Sequence, residues 1–284
     1  MTSRLFDNPG RRVGTCKPAR WVAAVAVIAS VAACATPPPA DDEEAMAAFE
    51  EANDPIEPLN RYFFEFNLGL DRLFLRPAAE IYRGTLPTPV RDGVRNFLVN
   101  LRSPVIFAND VFQGETERAG QTFGRFATNT FVGVGGIFDV AAGDNPDLEG
   151  GIPFHDEDFG QTLGVYEVSE GPYLVLPILG PSNPRDATGL VVDAFLDPLG
   201  YATSTGVSIA RFGVEGLDRR SRNIETLDEI ERTSIDYYAT VRSLYRQFRR
   251  SQILNDNTDD TPIPEISIEF EDDDEQERVS AKTE

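Results

Sequence analysis

The chain is poor in histidine and cysteine, the residues from which transition-metal sites and many nucleophilic active sites are built. It has one histidine, His155, and two cysteines, Cys16 and Cys34. Both cysteines lie in an N-terminal segment with the features of an export signal, so no pair remains for a disulfide in the domain that follows. Transition-metal ligand sets of the usual spacing cannot be built from one histidine and no free cysteine. We therefore predict no metal site and no cofactor.

Nucleophilic catalysis is disfavoured for a related reason. A Ser/His/Asp triad would have to use His155, which lies in a short segment rich in carboxylates, and the chain has no G-x-S-x-G nucleophile motif. A lipidated hydrolase that uses a pair of carboxylates stays open at this point. We predict that the protein is not an enzyme and that His155 is a solvated loop residue.

Basic residues are also few. The chain has 26 Lys and Arg against 47 Asp and Glu, which gives a formal net charge of -21. Nucleic-acid binding needs clustered basic residues, so we predict no nucleic-acid partner. Electrostatic attraction to an anionic membrane is excluded on the same ground, and any membrane attachment must be lipidic and apolar.

Long hydrophobic runs are missing. The longest, Trp21 to Ala33, has 13 residues and follows five basic residues, whereas a membrane span needs about 20. The run ends in Val31-Ala32-Ala33-Cys34, which resembles the bacterial lipobox and implies cleavage and acylation at Cys34; a plain secretory signal is the alternative. Position 35 is Ala and not Asp, which by the same resemblance favours sorting to the outer membrane.

Composition divides the chain into four parts. Residues 1–33 are the predicted lipoprotein signal peptide, and residues 34–53 form an acidic, proline-rich tether. Residues 54–254 form the folded domain. Residues 255–284, with twelve acids against two basic residues, form a tail that we predict to be disordered, either solubilising or a docking site for a basic partner.

The domain opens with a long helix that is apolar over most of its circumference. Asp54-Pro55 is typical of a helix start, and helical spacing continues to residue 75. Such a helix is either deeply buried or lies against lipid, and the sequence leaves both open. Its candidate lipid-facing residues are Ile56, Leu59, Phe63, Phe64, Phe66, Leu70, Leu73 and Phe74.

Further helices are predicted over residues 89–101, 104–112, 115–130 and 185–199, with a helical hairpin over 224–254. Four arginines lie near the C-terminal end of that hairpin. They are either charges that the helix dipole favours at this end or contacts to lipid headgroups or to an acidic partner. Residues 171–181 are apolar but interrupted by prolines, so we predict an extended element that is buried in the core or lines a lipid passage.

Gly133, Gly135 and Gly136 form a glycine-rich turn. The turn lacks the Gly-Lys-Ser/Thr of a phosphate loop. It permits a sharp bend or a close approach of the backbone to another element. We predict a hinge or close hairpin at which bulky substitutions alter function and leave folding largely intact.

Residues 52–254 contain, in order, a set of short motifs. They are Asn53-Asp54-Pro55-Ile56-Glu57-Pro58-Leu59-Asn60-Arg61, Phe66-Asn67, Leu75-Arg76-Pro77, Asn96-Phe97, Arg125-Phe126, Asn129-Thr130, Asp139-Val140-Ala141, Asp158-Phe159-Gly160-Gln161-Thr162-Leu163-Gly164, Gly171-Pro172-Tyr173, Leu176-Pro177, Gly180-Pro181-Ser182 and Arg185-Asp186. In this set the chain resembles the MlaA/VacJ family of outer-membrane lipoproteins.

The resemblance implies a mostly α protein: a single ring-like helical domain with amphipathic helices lying in one membrane leaflet and short Gly/Pro-rich non-helical segments. It implies a lipid-anchored protein in the periplasmic leaflet of the outer membrane of a Gram-negative bacterium. The implied partners are phospholipid, trimeric porins and a soluble periplasmic phospholipid carrier. The implied role is removal of mislocalised phospholipid from the outer leaflet through an amphipathic channel. The alternative is a porin-associated adaptor that transfers no lipid.

Overall fold

The computed structural model describes Met46, Phe49 and residues 52–143 and 150–255. The predicted signal peptide, Cys34, most of the tether and the acidic tail after residue 255 lie outside the described residues. The described part is mostly helical, as predicted, with one short β-hairpin. None of its helices combines the length and the apolarity that a membrane span requires.

The helices, in chain order, are α1 (Glu57–Leu70), α2 (Arg76–Thr85), α3 (Thr88–Gln113), α4 (Thr116–Phe131), α5 (Phe159–Val165), α6 (Pro184–Leu196), α7 (Pro198–Ala202), α8 (Thr205–Arg222), α9 (Ile224–Thr233) and α10 (Tyr237–Ile253). A π-helical turn, Asp71–Leu75, joins α1 to α2, and a 3-10 turn spans Val140–Ala142. Strands β1 (Leu174–Leu176) and β2 (Gly180–Ser182) pair antiparallel, with Leu174 opposite Ser182 and Leu176 opposite Gly180.

Side-chain caps set several helix starts. Asp158, Asn183 and Asp236 accept hydrogen bonds from the backbone N–H groups of residues 161, 186 and 239, at the starts of α5, α6 and α10. Gly114 ends α3 in the left-handed conformation at φ 81°, which turns the chain back into α4. These local signals give the helical hairpin α3–α4 and place α5 and α6 against it.

Three helix predictions are corrected. The two helices predicted on either side of Pro104 are one helix, α3, which continues through the proline with Ser103, Val105 and Ile106 buried around it. The first helix begins at Glu57, because Asp54 is buried and accepts hydrogen bonds from Asn60 and Tyr238 instead of capping the helix.

The helix predicted over 185–199 ends at Leu196, where Asp197 caps the short helix α7. Helices α2, α5 and α8 were not predicted. The helical hairpin predicted over 224–254 is confirmed as α9 and α10, and residues 171–181 are confirmed as extended.

The apolar core is small and aromatic. Phe64 of α1 packs edge-on against Tyr237 and Tyr238 of α10, with ring centroids 5.3 and 5.5 Å apart, and Tyr173 lies 6.0 Å from Tyr238. Val175 of β1 completes the buried cluster. This core fixes the N-terminal helix, the β-hairpin and the C-terminal helix to one another.

Candidate functional site

Burial in the described residues is inverted relative to a water-soluble domain. Twenty buried side chains are polar or charged and eleven are hydrophobic, while 34 large hydrophobic side chains are exposed. Soluble domains bury apolar side chains and very seldom bury Arg or Asp. Exposed apolar surface on this scale marks a protein or membrane interaction site. The candidate functional site is therefore the apolar surface as a whole, together with the polar interior beneath it.

The residues predicted to face lipid divide into three groups. Phe66, Leu73 and Phe74 are exposed, with 71% and 67% of the last two accessible. Ile56, Leu59, Phe63 and Leu70 are half-buried. Phe64 is buried in the aromatic core, so we remove it from the set.

Sequence reasoning missed most of the apolar surface. Highly exposed side chains lie on α2, on the turn after α4, at the tip of the β-hairpin and on α6 to α8; they include Ile81, Phe131, Val132, Val134, Phe138, Ile178, Val191, Phe195, Tyr201, Ile209 and Phe212. Those on the turn after α4 and at the hairpin tip lie in irregular segments where no helical period separates an inner from an outer face. Stretches without charged residues, 126–138, 171–184 and 198–210, were an available signal.

Opposite charges are paired throughout the interior. Arg249 of α10 donates to both oxygens of Asp158 at 2.7 and 2.9 Å and to both oxygens of Asp186 at 2.9 and 3.0 Å. Burial by itself raises the pKa of Asp158, but the bonds from Arg249 outweigh it and hold that pKa at about 2. Arg249 thus locks the C-terminal helix to the starts of α5 and α6.

A second interior cluster joins α3 to α5 and α6. Asn109 donates to Asp193 at 2.9 Å and accepts from Thr162 at 3.0 Å, and the backbone N–H of Phe159 donates to Asp193. Burial raises the pKa of Asp193 to about 6, against the lowering effect of these hydrogen bonds. Burial also raises the pKa of Glu157, which accepts from Gln113 and Arg118.

His155 is not the solvated loop residue that the sequence suggested. Its Nε2 lies 3.0 and 3.1 Å from the oxygens of Asp110, whose side chain is buried, and 3.0 Å from Thr122 Oγ1. The acidic residues that follow His155 point inward to partners on α3 and α4: Asp156 pairs with Arg102, and Glu157 pairs with Arg118.

This trio does not form an activated nucleophile. Thr122 donates its hydroxyl proton to Asp110 at 2.7 Å. Nε2 of His155 faces the same carboxylate, and a ring nitrogen that donates to Asp110 is not free to accept the proton of Thr122. The arrangement instead ties the segment 152–158 to the α3–α4 hairpin.

The glycine-rich turn makes a close approach to α3. A Cβ on Gly136 would lie 2.4 Å from Cβ of Asn100, and one on Gly133 would lie 2.1 Å from the carbonyl oxygen of Phe138. Gly135 has open space around it but a φ of 72°. Asn100 donates to the carbonyl of Gly135 at 3.2 Å. Bulky residues at 133 and 136 therefore collide with backbone or with Asn100, contrary to the expectation that such variants leave folding intact.

Comparisons with known proteins agree with this architecture. The family model of the MlaA lipoprotein matches residues 52–252. The chain is 37% identical over 196 residues to the intermembrane phospholipid transport system lipoprotein MlaA of Escherichia coli K12, covering 69% of this chain and 76% of that protein. It is also 37% identical over 199 residues to the Haemophilus influenzae protein of the same name, covering 69% and 78%.

A solved structure from work on the structural basis for maintenance of bacterial outer membrane lipid asymmetry superposes with a TM-score of 0.63 at 37% identity. It covers 70% of this chain and 98% of the solved one. The matched region contains α1 to α10 almost completely, with the apolar surface and the paired interior charges. This chain belongs to the MlaA lipoprotein family.

Proposed function

We propose that the protein is an outer-membrane lipoprotein, anchored through Cys34 in the periplasmic leaflet, that removes mislocalised phospholipid from the outer leaflet. The protein associates with trimeric porins, and the phospholipid passes through its amphipathic channel to a soluble periplasmic carrier. This transport maintains the lipid asymmetry of the outer membrane. The observation that carries the proposal is the inverted burial of the domain, in a chain whose relatives are named for intermembrane phospholipid transport.

The physical argument starts from what one leaflet demands of a protein. Acyl chains neither hydrate nor pair with charges, so a domain in that leaflet must present apolar side chains and satisfy its polar groups inside. The described domain exposes a surface rich in aromatic and aliphatic residues, and it pairs its buried arginines with carboxylates. It does so without any helix that could span a bilayer.

The exposed side chains are polar on one part of the domain and apolar on another, which favours one orientation of the domain relative to the membrane. Exposed positions on α9 and α10 are mostly polar or charged, among them Glu225, Glu229, Arg232, Gln247 and Arg250. Exposed positions on the π-turn and on α6 to α8 are mostly apolar. We place the α9–α10 face toward the aqueous periplasm and the π-turn and α6–α8 face toward lipid.

The glycine turn enters the proposal as a hinge beside the channel. Gly135 is the informative position, because it alone of the three glycines has room for a side chain. Substitution there changes the backbone freedom of the turn while leaving Asn100 and Phe138 uncontacted. Gly135→Ala that folds and retains wild-type lipid flux would contradict the hinge.

The testing experiment measures outer-leaflet phospholipid in cells that lack the protein, complemented with wild type or with Cys34→Ala. We expect phospholipid to rise in the null strain, to return to normal with wild type and to stay high with the variant. Immunoblotting shows whether the variant accumulates, and metabolic labelling with a fatty acid shows whether lipid is attached. Unchanged asymmetry in the null strain would overturn the transport role and favour the porin-associated adaptor.

A further inference from the structure

Three asparagines spaced seven residues apart, Asn53 before α1 and Asn60 and Asn67 on it, direct their side-chain amides at the backbone of residues 171–178. Asn53 donates to the carbonyl of Gly171 at 2.7 Å. Asn60 donates to the carbonyl of Tyr173 at 2.9 Å and accepts from the N–H of Val175 at 2.9 Å. The amides thus act as the neighbouring strand that β1 lacks on this side.

Asn67 repeats the pattern at the end of β1. Its Nδ2 donates to the carbonyl of Leu176 at 2.9 Å, and its Oδ1 accepts from the N–H of Ile178 at 2.7 Å. Each such amide pairs the carbonyl of one residue with the N–H of the residue two further on, as a paired strand does. On the side of the hairpin that faces α1, these amides therefore pair the carbonyls of Tyr173 and Leu176 and the N–H groups of Val175 and Ile178.

The sequence of the hairpin removes further polar groups. Residues 171–184 contain no charged side chain and four prolines, each of which lacks a backbone N–H. Free N–H and C=O groups are what keeps an ordinary hairpin out of hydrocarbon, since each unpaired group costs several kcal/mol there. Prolines, strand pairing and asparagine amides lower that cost at this hairpin.

The tip exposes three successive apolar residues, Pro177, Ile178 and Leu179. Ile178 is 69% exposed and has a φ of 70°. A β-branched residue in the left-handed region is an outlier, and strain of this kind clusters at functional sites. Gly or Asn would suit the backbone better, so an exposed isoleucine there gains nothing for folding.

We propose that the hairpin tip, residues 177–179, is a wedge that inserts between the acyl chains of the membrane leaflet, and that Asn67 is the positioning residue that holds it. The inference rests on the proposed function, because it takes the domain to lie in a membrane. Asn67 belongs to α1, which runs directly into the π-turn that exposes Leu73 and Phe74. The tip therefore continues the proposed lipid-facing surface.

The test places one cysteine at a time in the full-length lipoprotein, where acylation of Cys34 leaves the new thiol as the labelling site. Ile178→Cys, Leu73→Cys and Ile235→Cys each receive a polarity-sensitive fluorophore, and the unsubstituted protein reports background labelling. Each sample is reconstituted in vesicles of phosphatidylethanolamine and phosphatidylglycerol. Ile235 is the matched control, because it is a fully exposed isoleucine on the α9–α10 turn, beside the charged Asp236.

We expect position 178 to match position 73: blue-shifted emission, quenching by nitroxide on the lipid chains, and several-fold less quenching by aqueous iodide than at position 235. Equal iodide quenching at 178 and 235, with 73 protected, would overturn the wedge and leave the membrane seating intact. Iodide quenching at all three positions would overturn the seating and the wedge together.

Two further variants test Asn67 and Ile178 themselves. Asn67→Leu, with the label at 178, should raise iodide quenching at least twofold, whereas Asn223→Leu should not, because the side chain of Asn223 donates to the carbonyl of Arg219 at the end of α8 and not to the hairpin. Protection at 178 that persists in a folded Asn67→Leu protein would overturn the positioning role.

Ile178→Asn should raise Tm, because asparagine tolerates a positive φ, and should lower vesicle binding several-fold. This variant keeps the wedge testable even where Asn67→Leu fails to fold. Unchanged vesicle binding by Ile178→Asn would overturn the wedge.

Discussion

Arg249 and Asp158 stand 91 residues apart in the chain and form a buried, two-point ion pair at 2.7 and 2.9 Å, in which the C-terminal helix meets the cap of α5. The same guanidinium bonds Asp186 at the start of α6. One side chain therefore joins three elements, α10, the start of α5 and the start of α6. In a domain that exposes apolar residues and buries charges, such pairs fix the tertiary arrangement.

Arg249→Met should destabilise the domain strongly. The methionine fills much of the volume, but Asp158 is left buried without its paired cation, while Asp186 retains Arg185; breaking a buried pair in this way costs about 3–5 kcal/mol. Urea unfolding in detergent measures the loss. Arg250→Met, one residue along on an exposed position, should change the free energy of unfolding by less than about 0.5 kcal/mol. Equal effects of the two variants would contradict the buried-pair interpretation.

Asp193 should make the free energy of unfolding depend on pH in the direction opposite to that expected for a salt-bridged carboxylate. Its folded pKa is raised to about 6, so the folded state retains a proton that the unfolded state releases near pH 4. This group therefore makes stability fall as pH rises from about 4 to about 6. Asp193→Asn keeps an oxygen for Asn109 and Phe159 and should remove that decline. Parallel stability curves for wild type and variant across this range would show that Asp193 does not titrate there.

His155→Leu should cost about 1–3 kcal/mol, since it leaves the buried carboxylate of Asp110 with Thr122 as its remaining side-chain donor. His155→Gln, whose amide can donate to Asp110, should restore part of the loss. Thermal unfolding of both variants measures the difference. A solvated histidine would give two variants indistinguishable from wild type.

Gly136→Ala should destabilise more than Gly135→Ala. Both glycines have positive φ, which costs an L-residue about 1–2 kcal/mol, but only at 136 does the new Cβ collide with Asn100. Denaturant midpoints of the two variants provide the comparison. Equal midpoints for the two variants would show that the turn moves away from α3 without loss of stability.

Leu73→Ser and Phe64→Ala should have different effects, because Leu73 belongs to the proposed lipid-facing surface and Phe64 to the core. Phe64→Ala opens a cavity in the aromatic cluster and should cost about 3–5 kcal/mol. Leu73→Ser removes an exposed side chain and should leave stability within about 0.5 kcal/mol while reducing binding to phospholipid vesicles. Unchanged vesicle binding by Leu73→Ser would contradict a lipid contact at this position.

The mostly helical fold, the positions of α4, α9 and α10 and the extended character of residues 171–181 were predictable because local periodicity, capping residues and prolines specify them; the pairing of β1 with β2 was not predicted. The unbroken α3 was not, because the packing of Ser103, Val105 and Ile106 overrides the proline between them. Phe64 illustrates the limit for the candidate site. In a helix that is apolar over most of its circumference, the spacing of the apolar residues alone does not distinguish the buried ring of Phe64 from the exposed ring of Phe66.

The sequence by itself determined the family, the helical class, the scarcity of metal-binding and nucleophilic residues, and the four-part organisation predicted for the chain, since these depend on composition and on motifs read in order. Only the tertiary structure decided which polar residues are interior. Asn53, Asn60 and Asn67, and the charges around His155 and Arg249, read as surface residues until distant segments supply their partners. A polar side chain is buried at acceptable cost only when its hydrogen bonds are met, and those partners come from residues up to 118 positions away.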